Sequence, residues 1–126
     1  MHKSRLAGFI IDCQTDDLKG AAEFWAAAFG MTTRTLPGEE GDSYVRIVDP
    51  EDRLHIEVQS VRHESRVHVD IAADDVEAEV KRIEALGAKR VAKVRDWVVM
   101  EAPTGQRFCV VPGRSEWFMK TAKTWE

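Results

Sequence analysis

Two pairs of residues, His55 with Glu57 and His68 with Asp70, stand two positions apart in short β-branched segments of this 126-residue chain. In an extended strand alternate residues share a face, so the members of each pair would point the same way. The same alternation sets Asp12 at the end of one strand, and Arg107 and Cys109 on another, apart from wholly apolar partners. Imidazole and carboxylate groups that converge in a concavity are the usual polar content of a small-molecule site. Tyr44, Arg46, Trp97 and Arg107 read as residues of the same cup or its rim, and arginine there suits a carboxylate or phosphate.

Each of these groups also has a plainer role. His68 reads either as a ligand contact or as a core histidine whose ring bonds Glu57. Asp12 and Asp70 fall at equivalent places and suit a shared structural job, bonding backbone amides where a strand gives way to a helix. Cys109, in an apolar strand, reads as a small buried hydrophobe, and Trp25 as core.

The elements that position these groups come from periodicity. Strands are expected at Gly8–Cys13, Tyr44–Val48, Leu54–Gln59, Arg66–Ile71, Arg90–Val94, Trp97–Glu101 and Arg107–Val111, with a weak one between Met31 and Leu36. Leu18 to Phe29 shows helical spacing, ends at Gly30 and is opened by Asp17. A second helix begins at Val76 after Asp75 and stops at Gly87. The sets Phe9, Ile11, Cys13; Leu54, Ile56, Val58; Val67, Val69, Ile71; and Phe108, Val110 are expected to face the helices. Ser115 to Glu126 reads as an amphipathic helix. Its Trp117, Phe118 and Trp125 would dock on the sheet or cover part of a dimer interface.

Setting Asp17 against Asp75 brings Asp16 onto Asp74, Asp12 onto Asp70 and Ile10 onto His68 without a gap. The chain is therefore expected to be one α+β domain, residues 1–126, built of two tandem βαβββ modules at about 7–60 and 66–113. Joined side by side, the modules would form a curved, half-open eight-stranded barrel with helices outside and a C-terminal helix at about 115–126.

Composition bounds the function. A formal net charge of −4, with no stripe of Lys or Arg, argues against nucleic acid as a partner. No apolar run is long enough to span a membrane, and no export signal follows the basic start, so a cytoplasmic setting with reduced Cys13 and Cys109 is expected.

The segments Phe-Ile-Ile-Asp-Cys at 9–13, Glu-Phe-Trp-Ala-Ala-Ala-Phe-Gly at 23–30, His-Val-Asp-Ile-Ala-Ala-Asp-Asp-Val at 68–76, Ala-Leu-Gly-Ala at 85–88 and Ala-Pro-Thr-Gly-Gln-Arg-Phe-Cys-Val-Val-Pro at 102–112 resemble the glyoxalase/bleomycin-resistance/dioxygenase, or vicinal oxygen chelate, superfamily. Within it the chain is most similar to the glyoxalase-like domain branch. The resemblance covers roughly residues 7–113 and implies the barrel fold and a homodimer. Its metal enzymes hold a Lewis-acidic ion with one ligand from the first and last strand of each module, and a Glu or a water shuttles the proton. The matching positions here are Ile10, Glu57, His68 and Cys109. Glu57 and His68 are sound ligand types, with Glu57 also the candidate for proton transfer, but Ile10 has no donor atom.

Three readings follow. The first is a metal-independent protein, without a cofactor, that holds a small polar or aromatic molecule through His68, Glu57, His55 and Arg107. The second is a metal-dependent lyase, isomerase or dioxygenase using zinc, iron, nickel or manganese. In the third the chain is an accessory or regulatory domain whose cup is filled by its own side chains.

Overall fold

Asp17 and Asp75 open the two long helices, each side chain accepting the amide three residues on, from Gly20 and Ala78, at 3.0 Å. In the computed structural model, which describes residues 1–126, helix α1 runs from Leu18 to Phe29 and helix α3 from Val76 to Ala85. Gly30 takes the left-handed conformation (φ 71°) that ends α1, and its N–H returns to carbonyls of the last turn. The chain divides into two compact units, Gly8–His68 and Met1–Ala7 with Val69–Glu126.

The first unit holds β1 from Gly8 onward (the whole strand is His2–Gln14), α1, β2 (Thr32–Thr35), the single turn α2 (Glu40–Ser43), β3 (Tyr44–Val48), β4 (His55–Val61) and the start of β5 (Arg66–Ala73). Its strands lie in the order β2-β3-β4-β1; β1 and β4 run parallel, and the other pairs antiparallel. Gly8 faces His55 in that parallel register, and a Cβ there would run into the His55 carbonyl. Ile11, Ala22, Ala26, Ile47, Ile56 and Val58 form the core beneath α1, with Trp25 packed against it. Burial of this one face explains why β1 and β4 are apolar at every second residue.

The second unit repeats the plan. After β5 and α3 come β6 (Lys89–Val94), β7 (Trp97–Glu101) and β8 (Arg107–Pro112), in the order β5-β8-β7-β6 with β5 and β8 parallel. Its core is Ala73, Val80, Ile83, Ala88, Val98, Met100, Phe108 and Val110. The α+β class and the doubled strand–helix–three-strand module are therefore present as expected.

Four details differ from the sequence reading. Strand β1 begins at His2, not Gly8, because His2 and Ser4 turn inward toward the buried Glu79. Between β2 and β3, where the sequence reading places no element, Glu40–Ser43 form the short helix α2. The tail helix α4 stops at Thr121, and Lys123–Trp125 form a ninth strand, β9, antiparallel to His2–Ser4. That pairing carries Trp125 Nε1 to 2.8 Å from Ser4 Oγ and sets its ring 3.8 Å from the Arg82 guanidinium, so the tail docks on its own unit. Finally, Val67 and Val69 are not beneath a helix; they are 60% and 43% exposed.

Candidate functional site

In the first unit, strand register decides which polar groups meet. Ile10 of β1 stands opposite Glu57 of β4, which stands opposite Arg46 of β3; in the next row Asp12 faces Gln59 and Gln59 faces Tyr44. Partners in register share a face, so Arg46, Glu57, Tyr44 and Asp12 lie on one side of the sheet, away from α1.

Asp12 is 3% exposed. Its Oδ2 lies 2.9 Å from Nδ1 of His68 and 3.9 Å from Nε of Arg66. This bond places the His68 proton on Nδ1 when the ring is neutral. The other carboxylate oxygen, Asp12 Oδ1, is buried with no hydrogen-bond partner. On β4, Nε2 of the half-exposed His55 lies 2.7 Å from Oε2 of Glu57, whose side chain is largely covered. Arg46 is also largely covered; its Nη2 lies 3.7 Å from Asp52 Oδ1, while its Nε is buried with no acceptor.

The pairing expected between His68 and Glu57 is not formed: His68 bonds Asp12, and Glu57 bonds His55. Nor does the Asp12 carboxylate bond amides at the end of its strand; its partners are side chains, His68 and Arg66. Alternation assigns a face, but only register and strand order assign a neighbour. Arg66 was missed as a member of the group, although its spacing from His68 and Asp70 on β5 gives it their face.

In the second unit Asp70 and the buried Cys109 are register partners on β5 and β8. Arg107 Nε lies 3.4 Å from Oε1 of its cross-strand neighbour Glu101, and Trp97 begins β7 on the same face. Arg107 is thus half-exposed and partly committed to an ion pair.

The metal-ligand pattern of the resembling enzymes can be tested on the strands of the first unit. Ile10 is 4% exposed, lies in the same row as Glu57 and offers no donor atom. The residues present do not supply that four-ligand set.

Comparison with known proteins agrees with this fold. The sequence profile described as "Glyoxalase-like domain" matches residues 8–111. No curated protein matches the chain in sequence. Among solved structures, methylmalonyl-CoA epimerase from Mycobacterium tuberculosis is 13% identical with a TM-score of 0.63, over 89% of this chain and 91% of that one. A glyoxalase/bleomycin resistance protein/dioxygenase superfamily member from Vibrio splendidus is 14% identical with a TM-score of 0.51, over 87% and 98%. A mutant 4-hydroxymandelate synthase from Streptomyces coelicolor is 12% identical with a TM-score of 0.55; 90% of this chain matches half (50%) of that one. Likeness at these identities shows the fold, and the differing activities show that the fold does not choose among them.

Proposed function

Because the chain belongs to the glyoxalase-like domain family, we propose that the polar sheet face of its first module binds a small polar molecule without a metal. One observation carries the reading: a buried donor, Arg46 Nε, and a buried acceptor, Asp12 Oδ1, lie on one face without partners. Native interiors pair such atoms, and leaving one unmade costs about 1–3 kcal/mol. A ligand with a carboxylate or phosphate oxygen for Arg46 and a hydroxyl or amine for Asp12 meets both needs, provided that it spans the two strand spacings, about 10 Å, between β3 and β1. His68 then acts as a positioning residue that holds the Asp12 carboxylate. Glu57, oriented by His55, is the group best placed to take or return a proton if the molecule is turned over. Tyr44 flanks the same rows, and Trp97, Arg107 and Cys109 are candidates for a corresponding polar face within the second module itself.

The unpaired cysteines suit a reducing, cytoplasmic setting, and a homodimer belongs to the same proposal. No helix is long and apolar enough to cross a membrane.

The test is thermal unfolding with a panel of hydroxy acids, 2-oxo acids, phosphates and phenols. A saturable rise in Tm that is lost in Arg46→Met and Asp12→Asn supports the reading. No rise with any compound sinks it and favours a face closed by its own side chains.

The metal-dependent lyase, isomerase or dioxygenase keeps one specific support. His68 and Asp70 share a face of β5, and Cys109 is the register partner of Asp70; these are donor types that zinc and iron accept. Elemental analysis of protein purified without chelator or a histidine tag separates the two. Stoichiometric metal that disappears in His68→Ala overturns the metal-free reading.

A further inference from the structure

The second unit has a cleft of about 790 Å³ on the other side of its sheet from Asp70 and Cys109. Val69 and Ile71 of β5, Phe108 of β8 and Leu6 of β1 line it, together with Arg5, Arg82 of α3, and Lys123 and Trp125 of the tail strand. Asp70 and Cys109 alternate with Val69, Ile71 and Phe108, so they point away from it. Its volume is within the range of pockets that hold a small organic ligand.

Two features define what fits. The cleft keeps apolar surface open to water, since Leu6 is 50% and Val69 43% exposed. Its charges are also unbalanced. Glu79 is the lone carboxylate of the lining, and it is already saturated by His2 at 2.7 Å and by two bonds from Arg82 at 2.8 Å. Arg5 meets no carboxylate: it donates to the Leu6 carbonyl and the Thr121 hydroxyl, and its guanidinium lies 3.7 Å from the Trp117 ring. Lys123 meets only the face of Trp125, at 4.9 Å. An apolar floor beside two cations without anions is complementary to an amphipathic anion.

From the apolar floor and the unmatched Arg5 and Lys123, we infer that this cleft is a binding site for a medium-chain aliphatic carboxylate, separate from the polar face of the first module. The hydrocarbon lies along Val69, Ile71, Phe108 and Leu6, and the carboxylate meets Arg5 and Lys123.

Isothermal titration of the full chain with decanoate, below its micelle concentration, tests the inference. Saturable binding at one site per chain is expected, with decanol at least tenfold weaker. Val69→Glu should abolish binding, and Arg5→Gln with Lys123→Gln should weaken it about tenfold or more, in keeping with the strength of a charge-assisted hydrogen bond. Circular dichroism confirms that the variants fold, and Lys123→Gln alone, at an exposed position, gives a second measure should Val69→Glu fail to fold. Absence of saturable binding overturns the inference, as does equal affinity for decanol. Concentration-dependent self-association that Val69→Glu removes also overturns it, because the cleft would then seat a second copy of the chain.

Discussion

Asp12 and His68, 56 residues apart in sequence, share a hydrogen bond of 2.9 Å between Oδ2 and Nδ1. The bond anchors a nearly buried carboxylate whose other oxygen has no partner. It therefore joins the stability of the first unit to the geometry of its polar face.

That coupling is measurable. His68→Ala leaves the Asp12 carboxylate buried with only the more distant Arg66 nearby, and should destabilise by about 2–4 kcal/mol. Asp12→Ala in the His68→Ala background should restore part of that loss, since the uncompensated charge goes with it. Urea denaturation of the single and double variants gives the coupling directly. Additive losses would mean that the bond contributes nothing.

Asp17 and Asp75 make the same contact in the two modules, and each substitution to alanine should cost about 0.5–2 kcal/mol. Thermal or urea unfolding reads the loss, and Asp→Asn at either site should cost less, because an amide oxygen still accepts the bond. Exposed Asp16, which has no capping bond, is the control and should change stability by less than about 0.5 kcal/mol.

These caps mark what could be read without coordinates. A repeat that aligns Asp17 with Asp75 and Ile10 with His68 gives the module, its helices and the face of most residues in the strands it covers. It does not give neighbours. His68 and Glu57 are both polar and both face the same way, yet register puts Arg46 opposite Glu57, and His55 takes the glutamate's hydrogen bond. The start of β1 was illegible for a different reason. His2 and Ser4 are buried as polar partners of a carboxylate on α3, and hydrophobic alternation carries no trace of such an arrangement. Val67 and Val69 fail in the opposite sense: their alternation is strand-like, but nothing in it says whether a helix will cover them.

The cysteines should react slowly. Burial pushes the Cys13 thiol above its ordinary value of 9.0, against an opposing hydrogen bond with Trp25, and the charge of Asp12 adds to the rise. Thiolate is the nucleophile, so alkylation of Cys13 by iodoacetamide should be slow at pH 7 and accelerate with pH to beyond 9.0. Cys109 is buried, so Cys13, which is partly open, should be labelled first. Mass spectrometry of the labelled chain identifies the order, and rapid labelling of Cys109 in the folded protein would contradict the packing of β8.

Glu79 is fully buried (0% exposed) and should make the second unit acid-sensitive. Burial alone would raise its carboxyl, but hydrogen bonds from Arg82, His2 and Ser4 outweigh that and hold it below the ordinary 4.5. A carboxyl depressed on folding contributes stability that is fully present above the unfolded value and is lost as pH falls through the folded one. The loss should therefore begin near pH 4.5 and deepen below it. In Glu79→Gln the unfolding midpoint in urea should fall at pH 7, and its decline between about pH 5 and 3 should flatten relative to the parent chain. Glu79→Ala should cost about 3–5 kcal/mol at pH 7, because Arg82 and His2 keep their places without an acceptor. If the two chains show the same acid profile, Glu79 is not the group that titrates, and the network on α3 does not hold β1 and the tail strand in place.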